Sequence, residues 1–250
     1  MFFGKYSRRD REEKALIQAL EEGSVSKVKT ILAPHRSLWG RCKLALGLTL
    51  SPYTTKTLEV AARKGNLECV QLVDRGHSPF WRGPALCTAA ANGHLSLVQW
   101  FSRSTQGEID DKEYRYAIEY AAENAHLECV QSLRHKWHVI ENPETMLAQI
   151  AAKGHETMLR FLFEEFLPKD ITQRETIISG TLAHLGFREQ WSGIVMISEC
   201  FTDIDQALFD EILVRFHTPE LNRVRARLDL RALQEDTQQA ALAHKTPRRI

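Results

Sequence analysis

Apolar residues recur along this chain at spacings of three and four, broken roughly every thirty residues by a short polar turn. Three stretches align directly: AARKGNLECVQLV from Ala61, AAANGHLSLVQWF from Ala89 and AAENAHLECVQSL from Ala121. IAAKGHETMLRFL from Ile150 follows with some drift, and ALEEGSVSKVKTIL from Ala19 and LAHLGFREQWSGIV from Leu182 are looser copies. With the loop residue as origin, the anchors are Gly23, Gly65, Gly93, Ala125, Gly154 and Gly186, separated by 42, 28, 32, 29 and 32 residues. The longest interval holds an insertion near Pro34 to Pro52. Five residues beyond each anchor stand Val28, Val70, Val98, Val130, Leu159 and Trp191; eight beyond stand Ile31, Val73, Phe101, Leu133, Leu162 and Ile194. This spacing places them on one helical face. The alanine pairs before the anchors let a preceding helix approach closely. Each unit is thus predicted to be a helix, a tight turn and a second helix, which must stack on its neighbours to cover its apolar stripe.

Beyond residue 200 the pattern changes. FTDIDQALFDEILVRFH carries helical spacing, with Asp203 or Asp205 suited to an N-cap, and PELNRVRARLDLRALQ predicts a last helix with a polar outer face. The final residues are polar and close on KTPRRI, as expected of a flexible tail. The predicted division is an N-terminal cap and irregular first repeat at 1–55, repeats at 56–195, a helical cap at 196–234 and the tail at 235–250.

A unit of this length also suits a tetratricopeptide array, but the residues point elsewhere. The stretch A-A-x-x-G-[NH]-L-x-x-V closely resembles the centre of the ankyrin repeat, and the resemblance runs from about residue 15 to residue 195. It implies an all-α, ankyrin-like solenoid of five to six helix pairs ending in a C-terminal helical cap. The T-P-L-H opening of that family is altered here to KTLE (Lys56 to Glu59), PALC (Pro84 to Cys87) and YAIE (Tyr116 to Glu119). In the family the Thr and His of that opening knit the hairpins together, so irregular hairpins are expected here. The divergence is similar in style to arrays from amoebae, giant viruses and bacterial effectors. The function implied is binding of another protein through the concave face and the inter-repeat loops. An adaptor or delivered effector that recruits further machinery is the alternative, and LPKDITQRETII (Leu167 to Ile178) faintly resembles the start of an F-box.

Composition narrows the partners. Lys and Arg number 33 against 32 acidic residues, for a net charge of +1, which provides no global field for nucleic acid or anionic membrane. The basic ends KYSRRDR and KTPRRI hold only a few charges each and read as solvated termini. No run approaches the length of a membrane span, and the first residues lack the apolar core of a signal peptide. Five widely spaced cysteines without a CxxC pair point to reduced thiols and a cytoplasmic setting, the host cytosol for a delivered effector. The expected molecule is a monomer that uses no cofactor.

The residues that could carry chemistry fall largely into the repeat register. His94, His126 and His155 each follow the anchor, where another copy has Asn66, and are expected to bond a neighbouring loop. Cys69 and Cys129 occupy one position in two copies and read as small apolar fillers, as does Cys87 in the slot of the family histidine. Cys42 and Cys200 lie outside the pattern, and a cysteine-dependent hydrolase would need one of them. His135 and His138 in RHKWH have metal-compatible spacing without a third ligand in sequence. No nucleophile elbow, phosphate loop or dinucleotide fingerprint occurs, so no catalytic, cofactor or metal residue is assigned. The inter-repeat segments instead hold aromatics and basic residues of the kind that dominate binding hot spots. Phe80, Trp81, Arg82, Tyr114, Tyr116, Trp137 and His138 are the candidate partner contacts, with Trp81, Tyr114 and Trp137 as an expected strip. The competing reading has these aromatics folding back over the stack.

Overall fold

The structure is a computed structural model that describes residues 3–36, 55–74, 81–104, 109–200 and 218–245, together with Phe209 and Val214. Among the described residues it is helical with no strand. Paired helices follow the predicted units. The first unit pairs α1 (Phe3–Glu21) with α2 (Val25–Arg36), and the second α3 (Thr55–Lys64) with α4 (Leu67–Asp74). The third pairs α5 (Arg82–Ala91) with α6 (Leu95–Ser104), and the fourth α7 (Asp111–Glu123) with α8 (Leu127–Ser132), which continues into a 3-10 helix, η1 (Arg134–Val139). Next come α9 (Pro143–Ala152) with α10 (Glu156–Glu165), then α11 (Ile171–Phe187) with α12 (Trp191–Cys200), and last α13 (Pro219–Lys245). Among the described residues this is the all-α, ankyrin-like pairing of helices that the resemblance implies.

Two compact units divide the chain at 141/142. In the first, α1, α3, α5 and α7 stack on one another in order, with α2 against α4 and α6 against α8. In the second, α9 packs on α11 and α12, α10 on α12, and α12 on α13.

One turn geometry repeats throughout. The anchors Gly23, Gly65, Gly93 and Gly154 have φ of 66°, 76°, 73° and 80°, and Ala125 has φ 60°. After most of them the next residue donates its N–H five residues back: Ser24 to Ala19, His94 to Ala89, His126 to Ala121 and His155 to Ile150. That left-handed residue closes the first helix and satisfies its last carbonyls. The sixth copy corrects the sequence register. Gln190 donates to the Leu185 carbonyl and Glu189 carries φ 55°, so Glu189 is the anchor and Gly186 is not. A three-residue shift restores the pattern: Ile194 and Ile197 fall five and eight residues on, and neither is exposed. Gly186 becomes the small residue three before the anchor, equivalent to Ala62, Ala90, Ala122 and Ala151. Seven before it, Leu16, Leu58, Leu86, Ile118, Leu147 and Leu182 form the spine of the core, none more than 1% exposed.

The histidine after the anchor acts across repeats. His94 donates Nε2–H to the Arg63 carbonyl at 2.7 Å, and His126 donates to that of Ala91 at 3.1 Å. Their rings lie so close over the preceding anchors that a Cβ on Gly65 or Gly93 would meet Nδ1 at 2.5 or 2.6 Å, whereas one on Gly23 meets nothing within 4 Å. Gly23→Ala should therefore cost only the left-handed strain, about 1 kcal/mol. Gly93→Ala adds displacement of His126 and should cost about 2–3 kcal/mol. Chemical denaturation of the two variants measures the difference, and equal losses would mean that the ring-on-glycine contact contributes nothing.

The hairpin segments 37–54, 75–80 and 105–108 fall outside the described residues, so the predicted insertion and most of the irregular hairpins do too. The first helices nevertheless show what replaces the missing Thr and His. Asp110 Oδ1 accepts from the Glu113 amide at 2.9 Å while the Glu113 carboxylate accepts from the Asp110 amide, a capping box on α7. Gly83 leaves room for that carboxylate: a Cβ there would lie 2.1 Å from Glu113 Cδ. In the slot of the family histidine, the Cys87 thiol donates to the Glu113 carbonyl at 3.3 Å. Asp170 caps α11 by accepting from the Gln173 amide at 2.9 Å, so the LPKDITQRETII stretch is a capped helix start.

At the C-terminus, Leu221, Val224 and Leu228 are buried on α13, as the predicted last helix requires. The helix then continues to Lys245, through most of the segment expected to be flexible. Its residues there, QEDTQQAALAHK, are mostly good helix formers. Of the predicted helix at 201–217 only Phe209, buried, and Val214, exposed, are described. The Asp203 and Asp205 caps lie outside the described residues. Among the described residues no helix is long and apolar enough to cross a membrane.

Candidate protein-contact surface

The expected strip separates into three environments. Phe80 lies outside the described residues. Trp81, at the start of α5, is 40% exposed. Arg82 is engaged internally: Nε and Nη2 donate to Asp74 Oδ1 and Oδ2 at 2.7 and 2.8 Å, joining the end of α4 to the start of α5.

Tyr114 departs furthest from expectation, at only 2% exposed. The reason is its phase on α7, where it lies three and four residues from Ala117 and Ile118, both on the buried stripe. Residues of η1 close over it. The Lys136 ammonium sits 4.7 Å from the ring centroid and the His135 ring approaches edge-on at 6.5 Å. Lys136 is tied in turn to Asp111 at 3.1 Å, and His135 Nε2 lies 3.5 Å from Ser102 Oγ. Tyr114 is thus a core residue holding η1 to the stack, and the strip does not run through it. Trp137 in η1 is half-buried and His138 is exposed.

Two residues along α7, the opposite phase turns outward. Tyr116 is half-buried and stacks on Tyr120, with centroids 6.1 Å apart and planes at 16°. Tyr120 is 43% exposed and lies outside the set of contacts that the sequence suggests. Its signal was present in the i,i+4 spacing of Tyr116 and Tyr120, which puts two large rings side by side on a helix. The Arg115 guanidinium lies 5.2 Å from the Tyr116 ring and binds the Glu141 carboxylate, and Lys112 lies 5.8 Å from the same ring. Burial raises the Glu119 carboxyl above its ordinary range; Arg115 opposes this, and Glu123 and Glu141 add to it.

The thiols are arranged for packing. Cys69, Cys87, Cys129 and Cys200 are free and buried. Desolvation pushes Cys87 up to about 12 and Cys129 up to about 11, and raises Cys69 and Cys200 too. A nucleophilic cysteine needs the opposite shift. The hydrolase reading therefore loses Cys200, while Cys42 lies outside the described residues. Among the described residues no group of three His, Cys, Asp or Glu could hold a metal ion, RHKWH included.

Residues 84–175, from α5 to the start of α11, match the family model described as ankyrin repeats (3 copies). This stretch of the chain carries ankyrin repeats. Ankyrin repeats are generally protein–protein interaction modules. No curated protein and no solved structure matches the chain.

Proposed function

We propose that this repeat stack is a protein-interaction module that holds its partner by shape and by a few aromatic anchors, without cofactor or covalent chemistry. The observation that carries the reading is the exposure of two large aromatic side chains on adjacent repeats, Trp81 at the head of α5 and Tyr120 on α7. Of the contacts read from the sequence, Trp81, Tyr116, Trp137 and His138 remain proposed partner contacts; Arg82 and Tyr114 serve the fold. The four buried thiols suit a reducing, cytoplasmic setting.

The test is capture from cell lysate by the immobilised chain, with bound proteins identified and quantified. Trp81→Ala should reduce the specific captured set severalfold, because truncated hot-spot aromatics commonly cost more than 1 kcal/mol of binding. Its melting temperature should stay close to that of the parent. An unchanged captured set, or a large fall in melting temperature, removes Trp81 from the contact surface.

A further inference from the structure

Cations are distributed unevenly over the first two repeats. On the second-helix side, Lys27 pairs with Glu22 at 2.5 Å and Lys29 with Glu68 at 2.6 Å. On the first helices, Lys14 of α1 and Lys56 and Arg63 of α3 are exposed, and among the described residues none of the three makes an ion pair. Lys56 and Arg63 are seven residues apart, which sets them on one face of α3 about 10 Å from each other. Lys14 holds the place of Lys56 one repeat earlier.

The next helix offers these cations no counter-charge. α5 packs against α3, and its residues at the places of Lys56, Glu59, Val60 and Arg63 are Pro84, Cys87, Thr88 and Ala91. All four are small, and α5 contains no acidic residue. The rows on either side are longer, with Lys56 and Arg63 on α3 and Tyr116 and Tyr120 on α7, so the outward face of α5 is the floor of a shallow trough. Tyr120 is 43% exposed on one wall, and Trp81, 40% exposed, stands one turn before Pro84 at the head of the floor.

Charge gives the trough a direction. Cations border it on the α3 side, whereas the acids Glu119 and Glu123 stand on the α7 side. A chain lying on α5 therefore turns its carboxylates toward α3 and its apolar atoms toward the rings. Glu59 lies on α3 between the two cations. A polypeptide accommodates it, because backbone N–H groups separate successive carboxylates and can donate to it, whereas an unbroken row of phosphates is repelled there. In a polyproline-type segment, residues three apart point the same way at a spacing of about 9 Å, close to that of Lys56 and Arg63.

We propose that an acidic segment of the partner protein lies along α5 on the first-helix face, with its carboxylates paired to Lys56 and Arg63 of α3. The inference rests on the interaction-module reading and names the chemistry of the partner.

The test uses the full chain and a fluorescein-labelled peptide, Gly-Glu-Pro-Pro-Glu-Pro-Pro-Glu-Gly, followed by fluorescence polarisation. The matched controls carry glutamine or lysine in place of glutamate. The glutamate peptide should bind and both controls should not, and its affinity should fall as salt is raised. Lys56→Gln with Arg63→Gln should weaken binding about fivefold to tenfold. Arg103→Gln removes an exposed cation from the second helix α6 and should leave it unchanged. A labelled oligothymidylate of matched length should bind more weakly than the glutamate peptide. Melting curves check that each variant is folded. Equal binding of the glutamine peptide, an equal loss in Arg103→Gln, or tighter binding of the oligothymidylate overturns the proposal. If lysate capture depends on Trp81 but the glutamate peptide does not bind, this inference fails and the module reading stands. If the peptide binds through Lys56 and Arg63 while Trp81→Ala leaves capture unchanged, the α5 trough stands as an acidic-segment site and the Trp81 reading falls.

Discussion

Truncating Tyr114 to alanine should destabilise the protein by about 3–5 kcal/mol, the cost usual for removing a fully buried aromatic ring from a packed core. The ring is 2% exposed and follows the same stripe of α7 as Ala117, Ile118 and Ala121, so its loss leaves a hole between the first helix and η1. The damage should extend past the ring. Lys136 sits over its face and His135 meets its edge, and both belong to η1, a six-residue 3-10 helix with little internal stability of its own. Without Tyr114 these side chains lose their platform, and η1 should loosen together with the Lys136–Asp111 pair. Hydrogen exchange should show this as faster exchange across Arg134–Val139, beyond the shift in the denaturation midpoint. Tyr120→Ala is the matched control: one ring from the same helix but the exposed face, expected to cost less than about 1 kcal/mol. Were the two variants to lose equal stability, the phase assigned to α7 would be wrong, and Tyr114 would return to the candidate contact strip.

Tyr114 also shows where the sequence could and could not be read. The repeat was legible because its physical requirement recurs: a leucine or isoleucine seven before each turn, small residues just before it, and apolar residues five and eight after it. Any one copy is ambiguous, but five in register are not. In the sixth copy glycine is a false mark of the turn. The turn needs a left-handed residue, which glycine adopts most readily, but Glu189 adopts it here, and Gly186 is present for its small size. The position of Ile194 and Ile197, not the glycine, holds the true register. For the candidate surface, residue type was a poor guide and phase the better one. Tyr114, Tyr116 and Tyr120 share one helix, yet only spacing relative to Ile118 separates the core ring from the two that face out. Arg82 was illegible for another reason: its partner Asp74 lies across an inter-repeat segment, and no periodicity links the two.

That ion pair underlies the second large effect expected. Arg82→Ala should cost about 3–5 kcal/mol, because it strands the carboxylate of Asp74. The Asp74 side chain is 8% exposed and follows the buried Leu72 and Val73 at the end of α4, so water cannot replace the guanidinium. Both carboxylate oxygens are taken by the fork, at 2.7 and 2.8 Å, and both lose their partner at once. The reverse variant should be milder. Asp74→Ala leaves an arginine that is 18% exposed and has a long, adaptable stem, for a loss of about 1–2 kcal/mol. Arg82→Lys should fall between the two, since an ammonium restores the charge without the two-point geometry. In Asp74→Ala with Arg82→Ala no charge is stranded, so the double variant should be more stable than Arg82→Ala alone, and denaturation of all four proteins closes the cycle. A double variant no more stable than Arg82→Ala would show that the stem of Arg82, and not its charge, is what the junction of α4 and α5 depends on. Because the pair joins the end of one repeat to the start of the next, Arg82→Ala should also reduce partner capture only as far as the stack itself unfolds. Trp81→Ala should act in the opposite way, reducing capture while leaving the stack intact, and that contrast between neighbouring residues separates the contact surface from its support.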